Sequence, residues 1–261
     1  MNKCVLHVIF LLILLCSPAL AAVDKVSFTS DKMQYDFKAG RFYAEGNVTI
    51  KGNDITIVAT QANGDANNKS FNLSGNITIN GIWNSDDVKL SAMSATAEFS
   101  VPVVYTLENG ISGSLGKIAV DCEFLRMVGD DILAKRVHKL QDLKTGVTFS
   151  ADNITGKMDS GELAQATAEG NIVIKGAPNK SGGVVELKGK KAVYSLERGT
   201  IVVSGGVSAK QNKRTFSAES IIFIPATNRI EAQGKPGERP RITVDIDDEK
   251  LPTSSANAKK K

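Results

Sequence analysis

Ala44-Glu45-Gly46-Asn47-Val48-Thr49-Ile50-Lys51-Gly52 is a stretch that returns, with small changes, along the chain. It recurs as Leu73-Ser74-Gly75-Asn76-Ile77-Thr78-Ile79-Asn80-Gly81 and as Ala168-Glu169-Gly170-Asn171-Ile172-Val173-Ile174-Lys175-Gly176. Weaker copies stand at Val203-Ser204-Gly205-Gly206-Val207 and Ala232-Gln233-Gly234, and a blurred one at Ile111-Ser112-Gly113-Ser114-Leu115. Gly46 and Gly75 lie 29 residues apart, as do Gly205 and Gly234, and the 95 residues from Gly75 to Gly170 leave space for about three more units. Self-similarity at this spacing marks a repeat architecture, in which each unit buries its apolar face only against its neighbours.

A second phrase alternates with the first: Ile55-Thr56-Ile57-Val58-Ala59, Val88-Lys89-Leu90-Ser91-Ala92, Val147-Thr148-Phe149-Ser150-Ala151 and Val185-Glu186-Leu187-Lys188-Gly189, with a shorter Thr215-Phe216-Ser217-Ala218. Each unit is therefore two strands, and Val26-Ser27-Phe28 opens the series. Strand periodicity of two puts Phe42, Ala44, Gly46, Val48 and Ile50 on one face and Arg41, Tyr43, Glu45, Asn47, Thr49 and Lys51 on the other. Turn residues fall between the strands at Ala39-Gly40, Gly52-Asn53-Asp54, Asn80-Gly81, Thr145-Gly146, Ser160-Gly161, Gly176-Ala177-Pro178-Asn179 and Arg198-Gly199. A mid-strand glycine lets the strand bend sharply, so stacked copies align their bends into corners. Asp130 to Leu143 fits a short helix or another strand pair. The pattern predicts an all-β fold: one elongated antiparallel jelly roll of stacked two-strand repeats, apolar within, open at both ends and self-associating through its edge strands.

Composition narrows the function. The 261 residues are 42% hydrophobic and 23% charged, which excludes disorder, and the net charge of +4 includes the terminal Lys259, Lys260 and Lys261, leaving no basic face for nucleic acid. Lys3, the apolar run from Val5 to Cys16 and the Ala19-Leu20-Ala21 pattern read as an export signal over 1–21, cleaved after Ala21. The run is too short for the roughly 20 residues of a membrane-spanning helix. Cleavage leaves Cys122 as the one cysteine and His138 as the one histidine, so no disulfide and no zinc cluster is expected, and histidine-based catalysis would have to pass through His138 in a basic stretch. No cofactor and no enzymatic activity are expected. Residues 22–250 form the domain, with 102–143 divergent, and 251–261 read as a disordered tail. Asn47, Asn76 and Asn153 open glycosylation triplets, although Asn and Thr also suit an outer strand face. Trp83 fits a groove mouth or a packed loop equally.

The alternation of Gln34-Tyr35-Asp36 with Ala44-Glu45-Gly46-Asn47-Val48-Thr49-Ile50, and of Ile57-Val58-Ala59 with Leu73-Ser74-Gly75-Asn76-Ile77, resembles the OstA-like repeat of the LptA family of periplasmic lipopolysaccharide transport proteins. The resemblance is clearest at 24–100 and 147–235. It implies a sheet bent like a folded taco, whose apolar groove holds lipid A acyl chains while the sugars stay in water. It implies head-to-tail stacking that bridges an LptC-like protein at the inner membrane and an LptD-like protein at the outer membrane. The groove would be lined by Phe42, Val48, Ile50, Ile57, Phe71, Leu73, Ile77, Ile79, Leu90, Phe149, Ile172, Ile174, Leu187, Ile201, Val203 and Phe216. The period-two pattern alone favours a dry core formed by the same side chains, as in a secreted β-solenoid interaction or carbohydrate-binding scaffold, and the family resemblance reverses that preference.

Overall fold

A computed structural model describes residues 27–244 apart from 52–53, 66, 69, 84–85, 99–103, 129, 144–145, 160–161, 177–183, 228, 235–236 and 238. The export signal, the lysine tail, the Ser160-Gly161 turn, most of the turn at 176–179 and the side chain of Trp83 lie outside the described residues.

The described chain is strand and turn throughout. The strands are β1 (Ser27–Thr29), β2 (Lys32–Asp36), β3 (Arg41–Lys51), β4 (Ile55–Asp65), β5 (Ser70–Trp83), β6 (Asp86–Glu98), β7 (Val104–Leu115) and β8 (Ile118–Val128). They continue as β9 (Asp131–Asp142), β10 (Thr148–Asp159), β11 (Glu162–Lys175), β12 (Glu186–Ser195), β13 (Thr200–Gln211), β14 (Arg214–Ile224), β15 (Arg229–Gln233) and β16 (Arg241–Val244). All belong to one antiparallel meander: β3 to β14 pair in sequence order, β1 and β2 share the free edge of β3, and β15 and β16 share that of β14. The divergent middle keeps this connectivity. Asp130 to Leu143 supplies the single strand β9, and Asn80-Gly81 is not a turn, since β5 runs through it to Trp83.

The recurring Gly-Asn pair is a fold line. Between the pairs Glu45↔Gln61 and Val48↔Ala59, β3 has two residues, Gly46 and Asn47, where β4 has only Thr60. The same two-against-one bulge falls at Gly75-Asn76 in β5, Asn109-Gly110 in β7, Gly170-Asn171 in β11 and Gly205-Gly206 in β13, each time against both neighbouring strands. Every residue of these pairs has a positive φ, the left-handed region open to glycine and, among the rest, mainly to asparagine. Asn47 and Asn76 thus have a backbone reason to be asparagine. Gly170 shows why its partner position is glycine: a Cβ there would lie 2.2 Å from Oδ2 of Asp152, whose carboxylate covers the bulge and accepts bonds of 2.9 and 3.2 Å from the Asn171 amide.

Aligned bulges bend every strand at one level. Phe28 pairs with Ile50, eight residues along β3 from Phe42, a separation of about 26 Å on a flat strand. Their rings are nevertheless 5.5 Å apart. The sheet therefore doubles over along the crease, and the inner faces of its two halves meet. Two apolar clusters fill the fold, one from Ala44 to Val88 and one from Ala92 to Phe223. Among the described residues no polar or charged residue is buried.

A candidate lipid-binding interior

The bulge also shapes the inner face. Strands β3, β5, β11 and β13 keep their inward phase across the crease, because their extra residue preserves the count of two. The strands between them slip instead: Ala59 and Ala62 of β4 both point inward, as do Cys122 and Leu125 of β8 and Ala151 and Ile154 of β10. In β9 the inward residues are Ala134, Val137 and Leu140. Their three-residue spacing imitates a helix, which is why that segment read ambiguously.

All sixteen residues expected in the groove lie on the inner face, spread over the length of the fold. Ten are buried: Val48, Ile50, Phe71, Leu73, Ile77, Ile79, Ile172, Ile174, Leu187 and Val203. Phe42, Ile57, Leu90, Phe149, Ile201 and Phe216 are half-buried. Val48, Ile77, Ile172 and Val203, next to the crease, are sealed, whereas the half-buried six sit three or four residues out, towards the lips of the fold. At the N-terminal end the lips are bridged by aromatics: Phe28 meets Phe42 edge-on, and Phe42 stacks on Phe71 with ring centroids 5.6 Å apart.

Charge is kept outside. Glu186 is held below the usual carboxylate range by Lys188, whose ammonium is 2.9 Å away, and by Lys175. His138 lies exposed on the outer face, 3.4 Å from Glu123. Cys122 is fully buried in the interior, and its thiol is pushed up to about 11 by burial and so stays neutral; the half-buried Tyr105 also has its phenol oxygen out of contact with solvent. No three His, Cys, Asp or Glu side chains among the described residues converge as metal ligands would. Such an interior has the chemistry to accept hydrocarbon.

The sequence did not point to the groups covering the crease. Asp31, Thr60, Asp152 and Lys190 each lie over a bulge glycine, Gly46, Gly75, Gly170 and Gly205 respectively. Nor did it single out an outer hollow beside the N-terminal lip, lined by Gln34, Tyr43, Asn63 and Asn72. These four lie in one cross-strand row, a register that emerges only once the bulges are placed.

The model of the family described as LptA/(LptD N-terminal domain) LPS transport protein matches residues 27–229. The chain belongs to this family. The match spans β1 into β15, including the segment 102–143, and makes the protein a member of a lipopolysaccharide transport family rather than of an enzyme family. Among solved structures, LptH of Pseudomonas aeruginosa, the LptA-homologous periplasmic component of the lipopolysaccharide transport device, is similar at 13% identity, over 85% of this chain and 94% of that one, with a TM-score of 0.27. No curated protein sequence matches. In this member of the LptA/LptD N-terminal domain family, the continuous inner face is the candidate site.

Proposed function

We propose that the protein binds lipopolysaccharide by taking its acyl chains between the two half-sheets and carries it across the periplasm as a bridge. The observation that supports this most is the apolar inner face that runs from Ala44 to Phe223, with no polar or charged residue among its fully buried side chains in the described residues and with half-buried side chains towards its lips. Each methylene transferred from water contributes about 0.8 kcal/mol, without direction or register, so several chains bind tightly and still slide. The sealed side chains at the crease form the floor, and the lips part to admit the chains.

The bridge role follows from the ends. The edges carried by β1 with β2 and by β15 with β16 present unpaired backbone groups, which a second copy or an OstA-like domain of an LptC-like or LptD-like protein continues as further strands. The export signal read over 1–21 supports a periplasmic location for the mature chain.

Photocrosslinking tests the reading. A benzophenone side chain at Phe42 or Phe216, both inward and half-buried, should form adducts with lipopolysaccharide, while the same probe at the outward neighbour Ser217 should not. A folded protein that gives no adduct at either inward position would have a closed interior, and the scaffold reading with a solid core would replace this one.

A further inference from the structure

We propose that the outer hollow at the N-terminal lip is a saccharide subsite that holds the sugar portion of the cargo glycolipid. It rests on the lipid-binding reading above for the identity of the occupant, and on its own geometry for the chemistry.

The hollow has a volume of about 380 Å³. Among its lining residues is Tyr43, a large aromatic left 38% exposed on the outer face. The ring offers an apolar face on which the C–H side of a sugar ring stacks, with a phenol at its edge. Tyr43 is paired with Gln34 on one side and Asn63 on the other, and Asn63 with Asn72 beyond it. The Asn72 amide donates to Oδ1 of Asn63 at 3.1 Å. That bond leaves the Asn63 amino group and the Asn72 side-chain carbonyl outside it, so the pair offers both a donor and an acceptor. Vicinal hydroxyls, which donate and accept at once, need that pairing.

The hollow does not select an ion. Oδ1 of Asp36 accepts the backbone N–H groups of Lys38 and Ala39 at 2.8 and 2.9 Å. Asp65 accepts those of Asn67 and Asn68 and lies 3.3 Å from Nε of Arg41. Both carboxylates are engaged in turns, and the one guanidinium is matched by one of them. The floor is rigid. A Cβ on Gly64 would clash with the edge of the Phe42 ring, so the glycine lets that ring pack directly under the strand, where it stacks on Phe71. Amide and aromatic groups over a closely packed floor suit a weakly held sugar ring.

Location identifies the occupant. Phe42 turns its ring into the apolar interior while its neighbours Arg41 and Tyr43 face outward, so one strand thickness separates the two environments. A glycolipid with an acyl chain beside Phe42 has its headgroup at the lip, next to Tyr43.

The test uses the purified protein and two probes, acyl-free core oligosaccharide released from lipopolysaccharide and soluble peptidoglycan glycan strands, with affinity read by calorimetry. Core oligosaccharide should bind. Tyr43→Ala and Asn72→Ala should each weaken it about tenfold, and Tyr43→Phe less than about threefold. Melting temperature and lipopolysaccharide crosslinking through Phe216 should be unchanged in all three. Absence of oligosaccharide binding up to about 10 mM, or binding indifferent to Tyr43→Ala and Asn72→Ala, overturns the subsite. Preference for the glycan strands overturns the cargo assignment. Oligosaccharide binding that is sensitive to the variants, in a protein whose Phe216 probe gives no lipid adduct, sustains the subsite and removes the acyl-chain reading instead.

Discussion

Gly170→Ala tests whether the crease is held by fitted parts or only by permissive backbone. At φ +76 an alanine pays the left-handed penalty of about 1–2 kcal/mol. Its Cβ would also lie 2.2 Å from Oδ2, 2.8 Å from Cγ and 2.9 Å from Cβ of Asp152, so the carboxylate must leave and its two contacts with the Asn171 amide go with it. These bonds are exposed, and their loss adds about 0.5–1 kcal/mol. The total is roughly 1.5–3 kcal/mol, which for a chain of this size lowers the melting temperature by roughly 3–12 °C. Gly110→Ala is the matched control: φ is +75, yet no atom lies within 4 Å of its Cβ, so only the backbone penalty applies. Urea denaturation of both variants, with and without Asp152→Ala, separates the two contributions. Asp152→Ala removes the two closest contacts and should bring the cost of Gly170→Ala down towards that of Gly110→Ala. Equal destabilisation by Gly170→Ala and Gly110→Ala in the wild-type background would refute the fitted crease.

Three further outcomes are expected. Phe223→Ala, at a fully buried ring, should cost about 3–5 kcal/mol in urea denaturation, and a loss under about 1 kcal/mol would mean that the core there is loosely packed. Cys122, raised to about 11, should be thiolate in only about one molecule in a thousand at pH 8, so a disulfide reagent should label it on unfolding and not in the native protein. Labelling at the rate of a free thiol would show that the interior opens readily. Asp65 is held below the usual carboxylate range, chiefly by the Asn68 backbone N–H, so its contribution is present above the unfolded carboxylate value and lost as pH falls through the lowered folded one. The melting-temperature gap between wild type and Asp65→Asn should therefore close on acidification from pH 7, and a gap that widens would reverse the assignment.

The sequence made the strand pairs and the inward set legible because both depend on local alternation, which a meander preserves. Phe42, Val48, Ile50, Ile172 and Ile174 could be read directly. The crease was legible only as a bend, because its substance is a left-handed backbone and a slip in register. In β7 the order of the pair is reversed to Asn109-Gly110, so the copy aligned on Gly113 was displaced from the true fold line. In β9 the glycine is missing altogether: Arg136 takes the left-handed conformation, and His138 is the residue β8 leaves unmatched. No repeat phrase survives there for pattern reading to find. The outer hollow depends on cross-strand neighbours up to 38 residues apart, Gln34 to Asn72, which alternation within one strand does not relate.

The fold line has a consequence for how such a chain changes length. Each bulged strand serves the unbulged strands on both sides, as Gly75-Asn76 faces Thr60 and Met93 at once. Removing one strand would set two bulged strands side by side or leave two straight ones adjacent, and the line would break at that point. Removing or inserting a hairpin restores the alternation. Growth and loss in this architecture are therefore quantised in pairs of strands, and the span a single copy covers can change only in steps of about two strand spacings, close to 10 Å.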